Sequence, residues 1–204
     1  MNKKLLCAIF ASVFGSFIGP VSAFDVLGTA KLEPMEKPLS RVSGVEFHWL
    51  RDGKKHTTYE ESVDTELTKA RDSEGCSWTE MTAMFAPALA YNCSGSSGTQ
   101  KITKTKGNPW PLGAESKFQY NFSGQRAGMG KPWSSARKCE VKGQERIKVP
   151  AGEYDTYKLF CKDTWNERTY WVSPELGYEV AFKRKHKRDK KRSYMMELVK
   201  TVNP

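Results

Sequence analysis

The feature that most constrains this fold is a succession of short segments in which apolar and polar residues alternate, each ended by turn-forming residues. Alternation with a period of two places one set of side chains on each face of a β-strand. Such segments recur at short intervals, and no long helical pattern appears beyond residue 23. The sequence therefore predicts a mainly β protein, an antiparallel, strongly curled sheet or half-open barrel with hairpin connections. In the C-terminal half the segments are residues 117–124, 139–149, 155–162, 168–172, 178–182 and 193–199.

The domain organisation follows from where this alternation begins. Residues 24–43 carry two prolines and no clear period, which predicts an extended N-terminal lead-in. Residues 44–204 are predicted to form a single β domain, because this length suits one core. Within it, residues 62–72 are compatible with a continuing strand or a short helix, and the strand is favoured. The serine- and glycine-rich residues 94–100 are predicted to form a loop.

The first residues have the layout of a signal peptide. Lys3 and Lys4 precede an apolar stretch at residues 5–18, and small residues follow as far as Ala23. A retained anchor is the alternative, but a spanning helix needs about 20 apolar residues and this stretch is shorter. We expect residues 1–23 to be a signal peptide cleaved near Ala23, giving a periplasmic or secreted protein with no transmembrane span in the mature chain. The MNKK start suggests a bacterial host.

Four cysteines remain after such cleavage, and an even number in an oxidising compartment predicts disulfides. Three pairings are possible. A turn at residues 149–152 brings Cys139 and Cys161 together across a hairpin, to within a residue or two of register, and leaves Cys76 to pair with Cys93. Zinc is not predicted, because no cysteine belongs to a CxxC motif and no histidine is near in sequence.

Several phrases of the sequence resemble a recurring signature of small exported bacterial envelope proteins. They are VPAGEYDTYKLFCK (149–162), RTYWVSPELGYEV (168–180), NPWPLGAESKFQYNFSG (108–124) and GCSW (75–78) with the later Cys93. The signature is that of the TapB-like family or a related domain of unknown function. The resemblance implies an exported β-sheet domain and carries no catalytic residues. The stretch 183–192 is not part of the signature.

No motif for catalysis, cofactor binding or metal binding stands out in the sequence. There is no GxSxG nucleophile motif and no phosphate-binding glycine loop. Of the three histidines, His48 and His56 flank a turn at Asp52. A two-residue loop would point them to opposite faces of the sheet, and a three-residue loop would bring them onto one face. We therefore predict no catalytic residue, no cofactor and no metal site.

The aromatic residues are numerous, with six tryptophans and eight tyrosines. The favoured interpretation is that they form the sheet core and cross-strand pairs. The alternative is a surface on which cell-wall sugars stack or the lining of an apolar cavity. Trp165, which lies among turn residues, is the best exposed candidate for stacking.

One strongly basic run interrupts an otherwise near-neutral chain. The run 183–192 contributes a net +7 of the formal +10, and Lys3 and Lys4 contribute another two. It lies between two predicted strands, which makes it the loop of a long hairpin whose tip is free. A solvated loop is one interpretation, and contact with an anionic partner is the other. The candidate anion- or surface-binding residues are Lys183, Arg184, Lys185, Lys187, Arg188, Lys190, Lys191 and Arg192.

Anionic lipid, lipopolysaccharide and an acidic protein are the partners that such a loop would recognise, whereas export argues against nucleic acid. The sequence thus predicts a non-enzymatic exported envelope protein that binds an anionic surface or partner through a basic hairpin. The first alternative is a periplasmic lipid or hydrophobic-ligand carrier, which would require a continuous apolar inner face without a polar plug. The second is an exported hydrolase, which would require titratable side chains gathered in one deep cleft.

Overall fold

The structure, a computed structural model, describes residues 24–37, 42–82 and 85–204. The predicted signal peptide lies outside these residues. In the described part of the chain, thirteen strands belong to one antiparallel sheet, and a turn of 3₁₀-helix spans Lys190–Arg192. The strands are β1 (Asp25–Thr29), β2 (Glu46–Arg51), β3 (Lys54–Val63), β4 (Leu67–Asp72), β5 (Ser77–Met81), β6 (Ala90–Cys93), β7 (Ser96–Lys106), β8 (Lys117–Arg126), β9 (Trp133–Val149), β10 (Gly152–Lys162), β11 (Asn166–Ser173), β12 (Tyr178–His186) and β13 (Tyr194–Val202).

The sheet closes on itself. From β9 the neighbours run through β10, β11, β12 and β13 to β2, and then in chain order to β8. β8 pairs in turn with the first half of β9, so every strand except β1 belongs to a closed ring. The prediction of a curled antiparallel sheet is confirmed, and the pairing of β8 with β9 makes it a closed rather than a half-open barrel. Within the described residues, no helix is long and apolar enough to cross a membrane.

The long strand β9 organises the closure, because two different strands share one of its edges. β8 pairs with β9 from Trp133 to Glu140, and β1 pairs with it from Glu145 to Lys148. The predicted lead-in is therefore in part a strand. A further bridge between Met35 and Leu112 holds the segment that follows β1 against the barrel.

Two hydrophobic cores lie on opposite faces of the β9–β10 hairpin. The pairing slips by one residue near Lys142, where β9 has a bulge. On one face Tyr157 and Leu159 of β10 are fully buried in a core shared with β8 and β11. On the other face Ile147 of β9 is buried with Trp49 of β2 in a second core. The bulge thus lets one continuous strand contribute to both cores.

Two segments outside the clear alternating pattern, residues 62–72 and 94–100, contribute to strands. Residues 62–72 contain the end of β3 and all of β4, joined by a turn in which Asp64 Oδ1 accepts hydrogen bonds from the backbone of Glu66 and Leu67. The prediction of a loop at residues 94–100 was wrong, because β7 begins at Ser96. A two-residue hairpin turn suffices there, since Cys93 pairs directly with Ser96. Small polar residues can continue a strand whose edges are both paired.

Both disulfides have the favoured pairing. Cys139 and Cys161 are direct cross-strand partners on β9 and β10, and their sulfurs are bonded. Cys76, just before β5, is bonded to Cys93 at the end of β6. Each bond joins neighbouring strands, so each fixes a register within the barrel.

Candidate anion-binding surface

The basic run lies in the β12–β13 hairpin, as the sequence places it, but much of it is strand. β12 continues through Lys183 to His186, beyond the alternating segment that ends at Phe182. The loop proper consists of residues 187–193 and contains the 3₁₀ turn. Residues of the run that belong to β12 therefore alternate between the two faces of the sheet, while those of the loop do not.

Hydrogen bonds donated by backbone N–H groups of the loop hold it in place. His186 Nδ1 accepts from the backbone N–H of Arg188 at 3.3 Å and of Asp189 at 3.0 Å. Asp189 Oδ1 accepts from the N–H of Lys191, and the N–H of Lys187 donates to the carbonyl of Trp165. Burial and the charges of Arg192 and Arg184 lower the pKa of His186. A neutral imidazole is what these bonds require, since a protonated Nδ1 cannot accept them.

Five cations of the run are solvent-exposed and form no ion pair with any described residue. The side chain of Lys185 differs, because its Nζ lies 3.3 Å from Glu167 Oε2 on the neighbouring strand. The five are Lys183, Arg188, Lys190, Lys191 and Arg192.

Two other members of the run have structural partners. Arg184 Nε donates to Asn166 Oδ1 at 2.8 Å, and its guanidinium lies 6.0 Å from the ring centre of Tyr194. Burial lowers the pKa of Arg184. Lys187 Nζ donates to the backbone carbonyl of Asp163. These two side chains hold the hairpin against the β10–β11 turn and are not available to a partner without breaking those contacts.

Arg184 belongs to a group of buried charges that sequence reasoning missed. We call Arg137, Arg168, Arg184 and Asp163 the arginine cluster. Arg168 Nη1 lies 2.5 Å from Asp163 Oδ2, and Arg137 Nη2 lies 3.7 Å from the same oxygen. The other carboxylate oxygen accepts from the backbone N–H of Trp165 and Asn166. One carboxylate thus joins β9, β11 and the β10–β11 turn.

Burial and neighbouring charges together shift the pKa values of Asp163, Arg137 and the adjacent Tyr120. Burial alone would raise the pKa of Asp163, but the charges of Arg168 and Arg137 and the hydrogen bond from Arg168 outweigh it, so the pKa lies below its usual value. Burial lowers the pKa of Arg137 to about 10, and its Nε makes no hydrogen bond within the described part of the chain. Burial also raises the pKa of Tyr120, the cross-strand partner of Arg137, to about 12.

The remaining candidate residues are not brought together into a reactive site. The turn at Asp52 has two residues, so His48 pairs across the hairpin with Thr57 while His56 pairs with Trp49, and the histidines face opposite ways. No set of three metal-ligating side chains lies together among the residues the structure covers. Trp165 is half-buried and packs edge-on against Trp133, with the two ring centres 4.7 Å apart.

Comparisons with known proteins assign neither a family nor an activity to the chain. No protein-family model and no curated protein sequence matches the chain. Two of the crystal structures similar to it are described as lipoproteins. One is the hypothetical lipoprotein YmcC from Escherichia coli K12, with 9% identity over 80% of this chain and 86% of that one, at a TM-score of 0.47. The other is a candidate lipoprotein from Parabacteroides distasonis, with 12% identity over 84% of this chain and 100% of that one, at a TM-score of 0.41.

Proposed function

We propose that this protein is an exported, non-enzymatic envelope component that docks on an anionic lipid or lipopolysaccharide surface through the β12–β13 hairpin. The observation that carries the proposal is the group of five exposed cations without ion pairs. Most of them lie on a loop whose backbone is already fixed by His186 and Asp189. A fixed loop loses little conformational entropy when it binds.

Export is supported by two independent features. The N-terminal residues have the composition of a signal peptide. The two disulfides are of the kind that forms and persists outside the cytosol. We therefore infer that the protein acts in the periplasm or after secretion, following cleavage near Ala23.

The buried charged side chains inside the sheet favour docking over carriage of a hydrophobic ligand. A carrier would need a continuous apolar inner face. The buried arginine cluster instead lies beside the first core, with Tyr120 and Tyr170 within its electrostatic reach. If this region opened to admit an acyl chain, its charged groups would lie in an apolar medium without their partners, which is unfavourable in free energy.

The magnitude of the expected attraction is sufficient for docking. Each Lys or Arg close to an anionic membrane contributes about 1 kcal/mol, so four loop cations contribute about 4 kcal/mol at low ionic strength. That corresponds to roughly three orders of magnitude in affinity.

The test is binding to vesicles of phosphatidylglycerol and phosphatidylcholine, measured by sedimentation. Arg188, Lys190, Lys191 and Arg192 are all replaced by Gln. The matched control replaces four exposed lysines outside the hairpin, Lys31, Lys54, Lys69 and Lys200, so that the net charge changes equally. We expect the hairpin variant to lose roughly 100- to 1,000-fold in affinity and the control to lose less than about fivefold. Equal losses would show that only net charge matters, and no loss in either would contradict docking through the hairpin.

A further inference from the structure

A second cationic surface lies on the outer face of the barrel. It is an open groove of about 400 Å³ between β7, β8, β9 and β10. Four exposed lysines line it, together with the half-buried ring of Phe160 on β10. Among the described residues that line it, Glu140 alone carries a carboxylate, and this lies 2.5 Å from Lys142 Nζ. We call this surface the lysine groove; its lysines are Lys106, Lys117, Lys138 and Lys162.

The register of the sheet aligns three of these lysines. Lys106 pairs with Gln119, Gln119 with Lys138, and Lys138 with Lys162. Neighbouring strands lie about 4.8 Å apart, so the row from Lys106 to Lys162 extends about 14 Å across the sheet. Lys117 is one row away, opposite Glu140, which itself pairs with Phe160. The aromatic ring therefore lies beside the row of ammonium groups.

The direct pairing of Lys138 with Lys162 is unfavourable by itself. Like charges that face each other across an antiparallel pair destabilise the sheet. The pair cannot slip, because the adjacent register position holds the Cys139–Cys161 disulfide. Neither lysine forms an ion pair with a residue of the described ranges. A bound anion would remove the repulsion.

The groove is distinct from the basic hairpin. The row continues from Lys162 to Glu167 on β11, and Glu167 is ion-paired with Lys185 of the hairpin strand. A carboxylate thus separates the two surfaces. The groove lysines can be neutralised without changing any of the loop cations.

We propose that the lysine groove binds an acidic saccharide chain. Sugar rings present C–H faces that pack on an aromatic ring, and Phe160 supplies such a ring. Carboxylate, sulfate or phosphate groups on neighbouring sugars pair with Lys138 and Lys162 on one side and with Lys106 or Lys117 on the other. The row runs across several strands of a curved sheet, a path that a flexible chain follows more readily than a flat bilayer.

The test uses three probes: a heparin-derived hexasaccharide, a polyglutamate peptide of equal charge, and phosphatidylglycerol vesicles. Binding is measured by isothermal titration calorimetry for the first two and by sedimentation for the third. The groove variant carries Lys138→Gln and Lys162→Gln, and the matched control carries Lys69→Gln and Lys200→Gln. We expect the groove variant to lose roughly 20-fold in affinity for the hexasaccharide and the control to lose less than about threefold.

Phe160→Leu separates sugar recognition from charge attraction. This variant is expected to weaken binding of the hexasaccharide several-fold and to leave binding of polyglutamate unchanged. Equal effects on both probes, or no effect on either, would overturn the proposal in favour of a general polyanion surface. Because the Lys138–Lys162 repulsion is removed, the groove variant should melt at the same or a higher temperature, which shows that any loss of binding is not a loss of folding.

The hairpin variant described above distinguishes this inference from the proposed function. It should lose vesicle binding and keep the hexasaccharide. If it lost the hexasaccharide while the groove variant kept it, the saccharide site would lie on the hairpin and the groove proposal would be wrong. If vesicle binding never depended on the hairpin but the groove variant still lost the hexasaccharide, the docking function would fail and the groove inference would stand.

Discussion

Positive charge occupies two opposite environments in this protein. Inside the barrel, Arg137 and Arg168 are ion-paired with the carboxylate of Asp163, and the half-buried Arg184 lies within electrostatic reach of Arg168. Outside, the loop of the hairpin and the lysine groove expose cations that have no ion pair among the described residues. The interior uses arginine, whose planar guanidinium can bond several groups at once, and the groove uses lysine, a flexible point charge.

Two consecutive residues of the basic run lie in these two different environments. Lys183 points outward from β12 and is exposed, whereas Arg184 points inward and bonds Asn166. A count of charges along the sequence treats the two alike. Their roles differ because successive side chains of a strand lie on opposite faces. The inward cations hold the fold together, and the outward ones are free to meet a partner.

The largest expected effect comes from removing the carboxylate of the arginine cluster. Asp163→Asn removes the carboxylate that is ion-paired with Arg137 and Arg168, and breaking a buried ion pair in this way costs about 3–5 kcal/mol. The free energy of unfolding, measured with urea, checks this. Glu153→Gln is the control, because Glu153 pairs with Lys148 at the surface and its loss should cost less than about 1 kcal/mol. Similar costs for the two variants would contradict the structural role of the cluster.

The same carboxylate makes a pH-dependent contribution with a definite sign. The folded-state pKa of Asp163 is lower than its ordinary value of 3.8. Its contribution to stability is therefore complete above that value and is lost as the pH falls through the folded-state pKa. The wild-type protein should lose stability in that acid range, and Asp163→Asn should lose less. Identical pH profiles of the urea midpoint would contradict this assignment.

A pair of neighbouring substitutions sharpens the contrast between the two faces of β12. Arg184→Gln is expected to lower the free energy of unfolding by about 1.5–3 kcal/mol, because a charged hydrogen bond to Asn166 is lost. Lys183→Gln should change it by less than about 0.5 kcal/mol. In vesicle binding, Lys183→Gln should have the larger effect of the two, because the outward lysine contributes about 1 kcal/mol at an anionic surface. Equal effects of the two substitutions in both assays would show that the two faces are not functionally distinct.

Salt should affect the exposed and the buried charges to different extents. The Debye length falls from about 10 Å at 0.1 M to about 3 Å at 1 M, which screens exposed charges far more than buried ones. We expect vesicle binding to weaken at least about tenfold over this range of NaCl, while the difference in unfolding free energy between wild type and Asp163→Asn stays within about 1 kcal/mol. A loss of that difference in parallel with binding would place the cluster in solvent.

The features that the sequence predicted depend on the order of residues within short segments of the chain. Alternation along each strand predicted the antiparallel sheet, and the turn at residues 149–152 was enough to pair Cys139 with Cys161. The arginine cluster could not be predicted in this way, because it forms only when the registers of β9, β11 and β12 are combined. One signal was present: Arg137 lies two positions before Cys139, on the face that the disulfide marks as inward.

The lysine groove required still finer information. Its central pair depends on Lys138 facing Lys162, and the sequence placed this hairpin only to within a residue or two of register. A slip of one residue would send one of the lysines to the opposite face. The bulge near Lys142, which sets this register and divides the two cores, has no distinctive residue other than Gly143.

The smallest expected effect concerns how the hairpin loop keeps its shape. The pKa of His186 is lowered from 6.5 by burial and by the charges of Arg192 and Arg184. A base whose pKa is lower in the folded state contributes stability above its ordinary pKa, and that contribution is lost as the pH falls through the folded-state value. Protonation of Nδ1 would break its bonds from Arg188 and Asp189.

Amide hydrogen exchange of the loop measures this directly. After correction for intrinsic rates, the N–H groups of Arg188 and Asp189 should lose protection as the pH falls from 6.5 through the lowered folded-state pKa of His186, whereas backbone N–H groups in β10 should not. The control is Asp189→Asn, which keeps the imidazole and so keeps the pH dependence. Unchanged protection of the two amides would show that His186 does not hold the loop. The outward cations would then lie on a mobile loop, which would lose conformational entropy when it docks. The hairpin would in that case lack the rigidity that the buried arginine cluster has.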